Sequence, residues 1–431
     1  MKPAQPQSMP NKIQIGDKWY VAATSASAEE QPLVLKNDHT FAMFDRFGDV
    51  QVLAPGKEGL YHNDTRFLSH QELMIDGGRP LHLGSSVMES NSLLAIDLMN
   101  PDLPARADRP ALAKGTLHIF RGKLLWQNAC YEHIRLTHHG QEPTRVRLEF
   151  TFDADFVDLF EVRGMKRERR GDVLPPKAEA SQVVLTYRGR DERVRRMRIQ
   201  FEPQPSVLQV GRAAFELELG PGTEHHIYCT VSCEYEDQPR PPHQSYEEAL
   251  RGSDAQRKAQ RGGSCTVVTS NPLVNRWLDR SMADLSMLTT QLPSGPYPFA
   301  GVPWYCTTFG RDGILTALEC LWLDPGLARG VLSFLASTQA SEVDPQNDAE
   351  PGKILHEARQ GEMALTREIP FGRYYGSVDS TPLFLVLAGA YWRRTGDSAL
   401  IRRIWPNILL ALQWIDRWGD ADGDAFVEYA R

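Results

Sequence analysis

Trp304-Tyr305-Cys306-Thr307-Thr308-Phe309-Gly310-Arg311-Asp312-Gly313 joins an aromatic loop to an Arg-Asp pair and runs straight into Ile314-Leu315-Thr316-Ala317-Leu318-Glu319-Cys320-Leu321, whose apolar residues recur at helical spacing. Trp304, Tyr305 and Phe309 offer apolar faces for the C–H side of a pyranose, while Arg311 and Asp312 offer a rigid donor fork and an acceptor for its hydroxyls. Gly310 permits backbone angles closed to other residues, and Asp312 is a favourable anion in a first helical turn. A plainer reading stays open, in which Asp312 caps the helix and Arg311 pairs with it.

Working back from this stretch, the period of the sequence changes. Residues 1–28 are polar and rich in Pro, Ala and Ser, which predicts a disordered arm with one short strand at Trp19-Tyr20-Val21. From 29 to 236 the period is two. Phe41–Phe44 and Asp45–Val50 read as strand, turn, strand. Val146, Leu148, Phe150 and Phe152 alternate with Arg145, Arg147, Glu149 and Thr151, as in a strand buried on one face. Further runs at Val183–Tyr187, Met197–Phe201, Ala214–Leu219 and Ile227–Tyr235, separated by Gly/Pro turns, predict a large antiparallel β-sandwich. Residues 237–264 shift to Pro, Arg, Gln, Ser and Gly and read as a linker with a short helix near Tyr246–Leu250.

Working forward, 265–431 has the period of helices. Starts are predicted at Asn271-Pro272, Asp312, Pro325, Ser380 and Asp397, with ends near Thr290, Leu323, Ala340, Arg394 and Trp418. The intervening loops 291–309 and 341–378 are longer than paired helices need, and so are functional candidates. In the second, Asp348, Glu350, Arg359 and Arg367 read as a solvated charged loop, whereas the apolar and Gly surroundings of His356-Glu357 and Tyr374-Tyr375 predict partial burial and a need for partners.

Composition excludes several classes. At 431 residues and 41% hydrophobic content the chain builds two or three cores. A net charge of −7 argues against nucleic-acid binding, and the basic run Arg163–Arg170 lacks interleaved aromatics and reads as a solvated loop. The six cysteines show no Cys-x-x-Cys spacing, and Cys229 and Cys233 on one strand would stand about 13 Å apart, too far to bridge. No metal site, cofactor, signal peptide or membrane-spanning run is indicated, so a soluble cytoplasmic protein is expected.

Phe309-Gly310-Arg311-Asp312-Gly313, then Pro351-Gly352-Lys353-Ile354-Leu355-His356-Glu357 with Gly361-Glu362, then Tyr374–Pro382, in that order, resemble bacterial glycogen-debranching, amylo-alpha-1,6-glucosidase-like proteins. Gly59–Ser69 and Asp158–Gly164 resemble the signature of the β-sandwich that precedes their glucoamylase-like (α/α)6 toroid. The resemblance implies hydrolysis of α-glucans by two carboxyl groups, with inversion and without a metal. It also implies a sugar pocket shaped by Trp304, Tyr305, Arg311, Asp312, His356, Glu357, Tyr374 and Tyr375. About five helices follow the linker where a full toroid has twelve, and the general acid and base of the pattern are expected beyond residue 431. Of the carboxylates present, Glu357, Glu362 and Asp312 are the best candidates for a catalytic role. The expectation is therefore an incomplete toroid of weak or absent activity, with exposed apolar helix faces that the missing C-terminal half or self-association would cover. A glucan-binding module without turnover, a glycosidase of small α-glucosides, and a purely structural scaffold are the alternatives.

Overall fold

The computed structural model describes residues 12–15, 18–21, 32–51, 56–106, 109–240, 243–262, 264–420, 422–424 and 426–428. The expected disordered arm falls largely outside them; its strand is present as Lys18–Val21, paired antiparallel with Lys12–Ile15.

The first half is the antiparallel sandwich that its alternation predicts. One sheet of eight strands runs in the order Asp172–Ala178, Gln182–Arg188, Val194–Glu202, Glu224–Tyr235, Ala129–His138, Leu117–Trp126, Leu94–Met99, Leu81–Val87. A second runs Val207–Gln209, Arg212–Leu219, Thr144–Asp153, His70–Ile75, and a third Leu33–Asn37, Thr40–Phe44, Gly59–His62, Thr65–Leu68. Thr144–Asp153 buries Val146, Leu148, Phe150 and Phe152, which join Phe44, Phe67, Ile119, Met197 and Phe201 in a core common to all three sheets. Inside the sandwich, Arg121 binds Asp49 and Glu132, and Lys123 binds Glu132 and Gln71, at 2.5–2.9 Å. The expected second strand at 45–50 does not form. The Asp45 carboxylate accepts from the amides of Phe47 and Asp49 and closes a turn, after which Val50 bridges to Gln71.

Eight α-helices are present among the described residues: α1 Leu159–Val162, α2 Tyr246–Arg261, α3 Pro272–Leu288, α4 Gly310–Glu319, α5 Pro325–Ser337, α6 Glu362–Leu365, α7 Ser380–Thr395 and α8 Ser398–Trp414. The segment read as a linker is mostly α2, a full-length helix. Ser245 caps it in a reciprocal box with Glu248, and Ala249 packs on Leu124, Ala129 and Tyr131 of the sandwich. Asn271, Asp324 and Asp397 cap α3, α5 and α8 as their residue types predict. Helices α4, α5, α7 and α8 share a second core built on Ile314, Ala317, Val331, Leu335, Phe384, Leu387, Leu400 and Ile404. Apolar surface nevertheless faces solvent: Leu273 and Trp277 on α3, Val386 and Trp392 on α7, Trp405, Leu409 and Leu412 on α8. No helix of the described residues is long and apolar enough to cross a membrane.

Candidate functional site

The start of α4 is fixed from three sides. Thr308-Phe309 pairs with Glu357-Ala358, Glu357 bridges to Tyr374, and the amide of Gly310 donates to His356 O at 2.8 Å. A Cβ on Gly310 would collide with the carbonyl of Leu355, and one on Gly313 with the ring of Tyr297, so both glycines are needed for close approach. The Tyr297 hydroxyl, fully buried, donates to Phe309 O at 2.8 Å and holds the entry to the helix.

On this support stand the polar groups. Arg311 Nη1 donates to Asp379 Oδ2 at 3.1 Å, and Arg311 Nε lies 3.9 Å from Asp312 Oδ2; the three side chains are 46%, 36% and 38% exposed. The N-cap of α4 is Phe309, which makes no side-chain capping bond, so Asp312 sits inside the first turn with its carboxylate open to solvent. Asp379 is the N-cap of α7, which brings the beginnings of two helices to the same place. Burial opposes its charge, yet hydrogen bonds from Ser377 and Arg311 hold its carboxyl below the usual range. Burial first and the Arg311 charge second push the His356 imidazole below its ordinary pKa, against Asp379 and Asp312, so it is neutral at pH 7. His356 Nδ1 is buried with no hydrogen-bond partner among the described residues. Tyr305, half-exposed, meets the edge of Phe309 at 5.8 Å, and Phe309, His356 and Tyr374 continue edge to face at 5.7 and 5.9 Å. Arginine fork, two carboxylates, imidazole and an exposed tyrosine ring suit a polyhydroxylated ligand.

The remaining candidates lie apart from this cluster. Tyr375 is buried in the helical core with its hydroxyl on Thr338 O at 2.7 Å, a packing position. Trp304 is half-buried against Phe41, Met43 and Tyr61 of the sandwich, and its carbonyl accepts from Arg359 Nη2 at 2.6 Å. Glu357 points the same way and pairs with Arg359; burial raises its pKa and that guanidinium opposes the rise. Both oxygens of Glu362 are taken, one by Arg167 and the amide of Arg190, the other by the hydroxyl of Tyr187, each at 2.8 Å. Burial disfavours the Glu362 carboxylate, but these bonds keep it ionised. It ties the helical half to the sandwich.

Three readings of charge are corrected by these contacts. Arg359, expected in solvent, is 4% exposed and bridges Glu357, Trp304 and the sandwich residue Asp64. Glu350 is half-buried and accepts from Trp414 Nε1 at 2.6 Å, whereas Asp348 and Arg367 are exposed as expected. The run Arg163–Arg170 is not simply solvated: the Arg167 side chain is 1% exposed and grips Glu362 and Glu368. Asp379 and Asp64 were not singled out as site residues; both lie inside the quoted motifs Tyr374–Pro382 and Gly59–Ser69, and only their distant partners Arg311 and Arg359 distinguish them. The cysteines are all free. Asp420, Asp422, Asp424 and Glu428 are close enough to share a cation, and Asp420, Asp422 and Asp424 each accept a backbone amide through one carboxylate oxygen.

A β-sandwich is joined to a helical half that carries a polar, aromatic-edged site where two helices begin. Within the sandwich, residues 35–230 match the sequence model of a family described as the N-terminal domain of (some) glycogen debranching enzymes. The fold is similar to that of a protein described as a kojibiose phosphorylase, from the human microbiome, with a TM-score of 0.59 at 10% identity over 89% of this chain. This chain spans 57% of the length of that protein, and at such identity the likeness speaks for the fold alone. A bacterial glucoamylase in complex with acarbose aligns over 88% of this chain and 58% of its own, at 12% identity and a TM-score of 0.44. No curated protein matches the sequence.

Proposed function

We propose that the helical half binds glucosyl units of an α-glucan, and that the chain belongs to a glycoside hydrolase of the amylo-alpha-1,6-glucosidase-like debranching type, acting in the cytoplasm. The observation that carries this reading is the Arg311–Asp379 pair with Asp312, held at the converging starts of α4 and α7 beside the exposed ring of Tyr305. Arg311 donates to vicinal hydroxyls, Asp312 and Asp379 accept from them, neutral His356 contributes a ring nitrogen, and Tyr305 covers an apolar sugar face. The matched debranching-enzyme domain and the kojibiose phosphorylase-like fold favour carbohydrate over other polyols. The reaction on this reading is two-carboxyl hydrolysis with inversion. Its acid and base are carboxyls other than Glu357 and Glu362, which are committed to arginines.

Titration calorimetry with maltooligosaccharides tests the binding step. Arg311→Ala and Asp312→Asn each weaken binding by about 1.5–3 kcal/mol, the range for a hydrogen bond to a charged group. Unchanged affinity in both variants sinks the proposal. The pairing of Glu357 and Glu362 also favours a second reading, glucan binding without turnover. Glucose release from branched dextrin, with the anomer followed by NMR, separates the two: α-linked substrate yielding β-glucose supports inverting hydrolysis, and binding without product supports the second.

A further inference from the structure

The segment that carries His356 and Glu357 is clamped by the other half of the molecule. Asp64, on the sandwich turn between strands Gly59–His62 and Thr65–Leu68, adopts a left-handed conformation with φ of 62°. Its two carboxylate oxygens are divided between neighbouring residues of the helical half: Oδ1 accepts from Arg359 Nη1 at 2.8 Å, and Oδ2 accepts from the amide of Gln360 at 3.1 Å. Arg359 spends its other donors on Glu357 and on Trp304 O, with its guanidinium 4.9 Å from the ring centre of Phe160 and 5.8 Å from that of Phe309. Glu357 in turn is laddered to Phe309 on one side and bridged to Tyr374 on the other. A second sandwich carboxylate, Asp158, accepts from Met363 N at 3.1 Å, and Gly361 passes between Asp64 and Asp158 so closely that a Cβ there would displace the Asp158 carboxylate. Asp64 and Asp158 are themselves joined, since the amide of Leu159 donates to Asp64 O at 2.8 Å.

We propose that Asp64 is a positioning residue for the sugar site: acting through Arg359, it fixes Glu357 and with it the strands that orient His356 and Tyr374 against Phe309 and Arg311. The inference rests on the glucan-binding reading above. It makes affinity in the helical half a property of both halves. The physical reason is the low polarity of the junction, where Arg359, Asp64 and Glu357 are each less than a tenth exposed. A buried guanidinium deprived of one carboxylate reorganises rather than stays uncompensated, and the strand it anchors moves with it.

The test is maltooligosaccharide calorimetry on the full chain, with Asp64→Asn, Glu357→Gln and the double variant, alongside hydrogen–deuterium exchange. Asp64→Asn weakens binding by about tenfold or more, the scale of a charged hydrogen bond. The double variant binds only slightly worse than either single one, because both substitutions break the same relay. Exchange accelerates across 356–363 while the strands Thr144–Asp153 and Glu224–Tyr235 stay protected, which a general loss of stability would not produce. Should Asp64→Asn not fold, Asp64→Glu, which retains the charge and displaces it by a methylene, takes its place with the same expectation. Wild-type affinity in the variant, or additive losses in the double variant, overturns the inference while leaving the binding reading intact. Wild-type protein that binds no maltooligosaccharide overturns both.

Discussion

Asp158 shows how one side chain in the junction sets a pH response. Burial is the largest influence on it; the charges of Asp64 and Glu161 add to that, the amides of Phe160 and Met363 oppose it, and the result is a carboxyl pushed up to about 7. The folded protein therefore keeps a proton that the unfolded chain releases near pH 4. Stability from this group is fully present at low pH and is lost as pH rises towards 7. Between pH 5 and pH 8 the loss amounts to about 2–3 kcal/mol. Urea denaturation of wild type and Asp158→Asn at those two pH values checks this: the variant loses correspondingly less stability across the interval. An equal loss in both proteins would mean that Asp158 does not hold the proton.

At the scale of elements, the start of α4 depends on the absence of a side chain. Gly310→Ala drives a methyl group into Leu355 O and towards Ser380 Oγ, so the helix must retreat from the strand Glu357-Ala358. A loss of about 1–3 kcal/mol, the usual cost of overpacking, is expected in thermal unfolding, together with weaker sugar binding. Wild-type stability would show that this approach is slack. The helices and strands themselves were largely legible in the sequence, because each announces its own geometry: alternation marks Thr144–Asp153, Asn271 and Asp397 mark helix starts by the amides they can cap, and Pro325 marks one by its fixed φ. Helix α2 was foreshortened for a physical reason. Its apolar contact with the sandwich is a narrow stripe through Tyr246, Ala249 and Leu250; beyond it the contacts are polar, Gln256 bonding to Asn37 and Asp38, and the Gln, Arg and Ser composition is that of a loop. The candidate site was legible where chemistry and helix start coincide, at Arg311 and Asp312. It was illegible at Arg359, Glu362 and Arg167. A charged residue in a polar loop reads the same whether water surrounds it or a partner some two hundred residues away does.

For the whole molecule, those distant pairs decide whether the halves behave as one unit. Arg167, Glu362 and Glu368 join them on one side of the junction, and Lys36, donating to Thr290 at 2.9 Å and to the carbonyls of Met287 and Leu288, on another. Arg167→Ala leaves Glu362 buried without its cation, at a cost of about 3–5 kcal/mol, and calorimetry should show one melting transition become two, the helical half first. A single transition at the wild-type temperature would mean that the junction does not couple them. The Asp64–Arg359 pair carries a further consequence for the order of events during synthesis. Its members are 295 positions apart, and the acceptors Asp64 and Asp158 emerge from the ribosome long before the residues they hold. Hairpins such as Leu117–Trp126 with Ala129–His138 can close early on a neighbour a turn away, whereas the segment 356–363 gains its bonds to Asp64 and Asp158 only when the sandwich is there to receive it. The N-terminal half thus serves as the mould in which a later-made part of the site is cast. Variants that slow sandwich folding are then expected to damage the helical half first, through a loop that arrives before its template is ready.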